Sequence, residues 1–185
     1  MAFGDSIKKM IGERALRAEM KNIARQRAAL SIDQAKSIGI VFEYTNAEDF
    51  DLLKKYVLYL REMKKKVRAI GYYAMKELPQ FPYSKLEFDF FGKKSFAWNG
   101  KPADPILANF VEEEHDILLD LNMNDLLPLR YLTAVSRARF KVGRWEEDDH
   151  DLHDMLIDSP PAKGLKNFLR HIDTYLLKLN KPAAE

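Results

Sequence analysis

The segment Ser37-Ile38-Gly39-Ile40-Val41-Phe42-Glu43-Tyr44 is apolar at consecutive positions over the length of one strand. A strand with one wet face alternates polar and apolar side chains, whereas a continuous run demands burial on both faces. The architecture that meets this demand is a parallel sheet with helices on either side. The following residues supply the cover. Thr45-Asn46 offers an N-cap, with Glu48 and Asp49 in the first turn, where negative charge is favoured. Phe50, Leu53, Val57 and Leu60 recur at spacings of three and four, which predicts a helix through Lys64. Val67–Tyr73 is a second strand, and the resulting βαβ unit is expected to cross over with right-handed sense.

The same alternation continues. Pro79 and Pro82 mark a loop, and Leu86–Phe91 is a short third strand. After a loop over 92–104, Asp104-Pro105 provides an N-cap and a proline at the first helical position, for a helix through Glu113. His115–Leu121 is a fourth strand, Leu127–Ser136 a helix with Pro128 in its first turn, Arg139–Gly143 a fifth strand and Asp154–Asp158 a short sixth. Ala162–Leu179 is the closing helix. The expected fold class is α/β: a Rossmann-like, mostly parallel sheet in the order 3-2-1-4-5, with a possible sixth strand at the edge. Residues 37–185 form this single domain, and residues 1–36 a basic N-terminal helix before it.

Charge separates these two regions. The chain holds 30 Lys and Arg against 28 Asp and Glu, a net of +2. Residues 1–36 carry eight basic and four acidic side chains, so the remainder is net acidic. Such a split points to an arm that meets a polyanion. From about Glu13 the leader is rich in strong helix formers. Arg14, Arg17, Lys21 and Arg25 align on one face, with Leu16, Met20, Ile23 and Leu30 opposite. Three readings compete. The apolar stripe packs on the domain, or on a protein partner. Alternatively Lys8, Lys9, Arg14, Arg17, Lys21, Arg25 and Arg27 meet RNA phosphates, with recognition of backbone and shape because the arm lacks aromatics for base stacking. An anionic membrane surface ranks last, since the amphipathic segment has no Trp or Phe.

Other classes are excluded by composition. There is no cysteine, so disulfides, thiolate chemistry and Cys-type zinc sites are impossible. No apolar run reaches the roughly 18–20 residues of a membrane span. Charges interrupt the N-terminal segment where a secretory signal would be apolar, so the expected compartment is the cytoplasm.

In the expected strand order the topological switch falls between strands one and four, where ligands of such sheets bind. Glu43, Tyr44 and Asn46 reach that crevice from one side, and Asp120, Asn122 and Asn124 from the other. The first turn, Glu43 to Asp49, has three acids and no glycine. Backbone amides that cradle phosphate need glycines there, so no nucleotide cofactor is expected. Glu43 and Asp120 suit an acid/base pair or a hard-metal site, but acids at strand ends more often cap helices or bind loop amides. Residues 146–154 hold six acids with His150 and His153, a pattern that fits a solvated loop better than a metal site. No catalytic residue and no metal ligand is assigned. The aromatics Phe88, Phe90, Phe91, Phe96 and Trp98 read as core and lid packing.

Two stretches carry a resemblance: SIGIVFEYTNAEDFDLLKKYVLYLREMKKKVRAIGYY and EEEHDILLDLNMNDLLPLRYLTAVSRARFKVG. Together they resemble an uncharacterised protein family found in Bacteroidota, over nearly the whole chain and including a basic N-terminal helix. That resemblance implies the fold and no activity. HDILLDL followed by SRARFKVG is also similar to the N-terminal Rossmann-like half of heptosyltransferase-type glycosyltransferases. It implies the topology and, without the second, sugar-nucleotide-binding domain of those enzymes, their activity is not expected. The expected function is therefore that of a non-enzymatic cytoplasmic interaction protein whose basic helix docks on RNA or a ribonucleoprotein such as the ribosome. The alternative is a small-ligand-binding domain or enzyme that uses the crevice.

Overall fold

The computed structural model describes residues 14, 16–74, 88–97, 102–124, 126–146 and 151–179. Six strands, β1 (Ser37–Glu43), β2 (Lys66–Tyr72), β3 (Phe88–Phe91), β4 (Ile117–Asp120), β5 (Phe140–Arg144) and β6 (Met155–Ile157), form one sheet. Their order is β3-β2-β1-β4-β5-β6, and every neighbouring pair is parallel. The sixth strand therefore occupies the edge beside β5. In the register Ile40 sits opposite Ala69 on one side and Leu119 on the other. Five consecutive residues of β1, Gly39 included, are buried, as the unbroken apolar run requires.

Helices cover both faces. Alternation along β1 sends Ile38, Ile40 and Phe42 to the layer of α2 (Ala47–Glu62) and α5 (Gly164–Leu176), where they pack with Leu53, Val57, Phe168 and Ile172. Val41, Ile70 and Leu118 face the other layer, with Leu107 and Phe110 of α3 (Pro105–Glu112) and Leu129 and Leu132 of α4 (Leu127–Val135). Asn46 caps α2 by accepting a hydrogen bond from the Asp49 amide at 2.8 Å, and Asp104 caps α3 through the Ile106 amide at 2.9 Å. Close ring packing needs a glycine at one point: a side chain at Gly71 would run into the Phe42 ring. Phe42, Tyr44, Phe50, Phe88 and Phe90 form a continuous aromatic cluster at this end of the sheet. Phe91 packs on Tyr72 and Phe96, while Trp98 lies outside the described residues.

The leader departs from the expected long helix. Its helix α1, described over residues 16–20, ends at Met20, and the chain continues without helix from residue 23. The cause is local. The Asn22 side chain donates to the Ala18 carbonyl, while the Asn22 amide turns to the Glu19 carbonyl at 2.9 Å. That closes the helix with a tightened last turn. Downstream, the Ala28 amide donates to Arg139 O and the Ile32 amide to Leu176 O, so the segment runs as a strap over the domain. Leu16 is buried in the α3/α4 layer, and Met20 and Ile23 pack against it. Arg25 consequently does not share a helical face with Arg14, Arg17 and Lys21.

Candidate functional site

Two groups of side chains lie where the sheet could carry chemistry. The first is the crevice beyond β1 and β4. Glu43 Oε2 accepts a 2.6 Å hydrogen bond from the Asn124 side chain, which ties the two loops across the switch point. Beside this tie lies a concavity whose lining includes Glu43, Phe42, Thr45, Asp49, Leu121 and Met123. The remaining residues expected there are occupied with the fold. Asn46 caps α2, and its Nδ2 donates to Asp49 at 2.9 Å. Asn122 accepts from the Asn124 amide at 3.2 Å, an Asx-type turn. Tyr44 stacks edge-on against Phe50 and Phe90.

Asp120 does not face Glu43. It is buried and turned to the α4 side, as alternation from Leu118 dictates. Its Oδ1 accepts from the Asn122 amide at 3.1 Å; its Oδ2 accepts from Thr133 Oγ1 at 3.0 Å and lies 3.1 Å from His153 Nε2. A side chain at Gly143 would collide with the His153 ring, so this glycine makes room for the imidazole. A carboxylate that orients an imidazole is also an arrangement of catalytic sites, yet His153 Nδ1 is buried without a hydrogen-bond partner among the described residues. The pair fixes the β5–β6 connection against β4. Among the described residues no cluster of His, Asp and Glu is arranged to hold a metal ion, and His150 lies outside them.

The second group lies under the leader. Lys141 on β5 is 2% exposed, and its Nζ donates to the Ala134 carbonyl at 2.9 Å. Burial, reinforced by Arg25, pushes its amine down to about 7. Asp154 organises the surroundings. Arg25 grips its two oxygens through Nη1 at 2.6 Å and Nη2 at 2.7 Å, and the Lys141 amide donates to it at 2.9 Å. Arg27 Nε lies 3.8 Å away. Burial alone would raise the Asp154 carboxyl, but the hydrogen bonds from Arg25 and the Lys141 amide outweigh it and hold it below the usual range. The Arg25 side chain is only 6% exposed, which commits it to the interior rather than to a phosphate. Arg14, Arg17, Lys21 and Arg27 are exposed, and Lys8 and Lys9 lie outside the described residues. This buried cluster did not emerge from the sequence, where residues 146–154 read as a solvated acidic loop.

His115 is buried with its ring over Gly39, whose Cβ position would lie 2.6 Å from the ring, and beside Phe110. His171 Nδ1 lies 3.3 Å from the Asp158 carbonyl.

An all-parallel, doubly covered sheet with its crevice at the switch point defines a Rossmann-like α/β domain. The chain belongs to the family of unknown function DUF6913, whose profile matches residues 8–179. This agrees with the resemblance to an uncharacterised family seen in the sequence. No curated protein matches the chain. Among solved structures it is similar to a glycosyl transferase family 9 protein from Veillonella parvula DSM 2008, at 16% identity and a TM-score of 0.49. The match covers 85% of this chain and 47% of that one, so the chain spans about half the length of that protein. Among the described residues no helix is long and apolar enough to cross a membrane.

Proposed function

We propose that the protein is a non-enzymatic interaction module that binds RNA through its docked leader. The supporting observation is the way the leader sits. Leu16, Met20 and Ile23 face the α3/α4 layer, while Arg14, Arg17, Lys21 and Arg27 are exposed on the outer side. The apolar stripe anchors the segment, so the basic groups are displayed from an ordered base rather than a free arm. Neutralising backbone phosphates releases counterions and gives affinity without base reading. The crevice reading is weaker, because Asn46, Asn122 and Asp120 spend their side chains on caps, turns and buried partners.

The test is salt-dependent binding of a folded RNA to the full chain. Four phosphate contacts give a slope of log K against log salt of roughly −3 to −4. Replacing Arg14, Arg17, Lys21 and Arg27 together by Gln should flatten that slope and weaken binding at low salt by at least tenfold. Binding that is unchanged in this variant, or independent of salt, would overturn the proposal.

A further inference from the structure

Between the leader and residues 151–152 a small recess opens, with Arg25, Arg27, Lys141 and Asp151 among its lining and Met20 and Ile23 as apolar wall. Arg25, Arg27 and Lys141 are the cationic residues of that lining. The nearby carboxylate, Asp154, is oversubscribed: it already serves both Arg25 nitrogens and the Lys141 amide, with Arg27 beyond hydrogen-bond reach at 3.8 Å. Asp151 is exposed at the rim. The Lys141 amine lines the recess with the Ala134 carbonyl as its single acceptor among the described residues. An ammonium has three donors, and a buried one with a single neutral acceptor is under-compensated.

We propose that this recess is a binding site for a phosphate-class oxyanion, with Lys141 as its buried donor and Arg27 as its donor at the rim. The inference rests on the reading of the leader as an anion-facing surface, and deepens it by naming where one phosphate sits. Lys141 is held down to about 7 by burial and by Arg25 and Arg27, against the opposing pull of Asp154. A bound anion favours the charged amine. Affinity is accordingly greater below that pH than above it, by up to tenfold per pH unit on the alkaline side.

The probe is sulfate, whose charge is constant between pH 6 and 8, titrated into the full chain against chloride at fixed ionic strength. Binding is read from the side-chain NMR signals of Lys141 and the arginines. Saturable binding, tighter at pH 6 than at pH 8 by fivefold or more, is expected. It should be lost in Lys141→Met and weakened severalfold in Arg27→Gln, an exposed change that leaves the fold intact. No saturation in the wild type, or equal binding in Lys141→Met and Arg27→Gln, overturns the site. RNA separates the two readings. Sulfate binding without RNA binding sinks the leader proposal and keeps this one. RNA binding that sulfate does not compete with and that survives Lys141→Met, together with no sulfate binding, does the reverse. Competition between sulfate and RNA identifies the backbone phosphate as the occupant; sulfate and RNA bound together identify a free anion.

Discussion

Asp154→Ala is the most informative single substitution for the fold. It removes the acceptor of two Arg25 nitrogens and of the Lys141 amide at once. The Arg25 guanidinium, 6% exposed, is left with the Ala138 carbonyl at 3.1 Å. Removing one partner of a buried ion pair costs about 3–5 kcal/mol, chiefly because the other charge stays buried. Against a total stability on the order of 5–15 kcal/mol this is a large share. For a chain of this size it corresponds to a fall in Tm of roughly 6–20 °C. Urea denaturation followed by far-UV circular dichroism measures it directly. The double substitution Arg25→Met with Asp154→Leu takes both charges away and should return to within about 1–2 kcal/mol of the wild type. The pH dependence has a definite sign. The folded Asp154 pKa lies below its ordinary 3.8, so its contribution is complete above that value and is lost as pH falls through the folded one. A cost below about 1 kcal/mol for Asp154→Ala, as for a surface pair, would refute the reasoning. So would strictly additive effects in the double variant.

Three further outcomes follow from the same physics. Lys141 sits near 7 in the folded chain against 10.5 ordinarily, so the unfolded state binds more protons between those values and stability rises with pH; denaturant midpoints between pH 7 and 9 should climb in the wild type and stay flatter in Lys141→Met. Burial pushes His115 down to about 4, with Glu113 opposing, so stability falls as pH drops from 6.5 towards 4; His115→Phe should remove that part of the acid loss, read from the same midpoints. Gly71→Ala forces a methyl into the Phe42 ring and should cost about 1–3 kcal/mol in the same urea assay.

The sheet was legible because burial on both faces leaves its mark residue by residue. Ile38 to Phe42 is apolar without alternation, and so is Ile117 to Leu119, and these are the central strands β1 and β4. The caps were legible for the same reason: Asn46 and Asp104 act through amides two or three residues away. The leader was not. Arg14, Arg17, Lys21 and Arg25 have perfect helical spacing, but the partner that takes Arg25 out of register is 129 residues further on. Local periodicity carries no record of such a contact.

The polar cluster was half legible, and the half that was missed explains why. Alternation from Leu118 puts Asp120 on the α4 side of β4, and the pairing of Leu118 with Lys141 puts Lys141 on the same side of β5. Two opposite charges on the covered face of a parallel sheet cannot stand alone, so each requires a partner. The sequence does not reveal which residues these partners are, because they come from segments whose composition argues for solvent. His153 and Asp154 close an acidic run, and Arg25 belongs to a basic leader. His153 and Thr133 take up Asp120, while Asp154 takes up Arg25 next to Lys141. The Lys141 amine is left with a single neutral acceptor among the described residues, beside a carboxylate that Arg25 already holds. That residual charge is the basis of the oxyanion site proposed above.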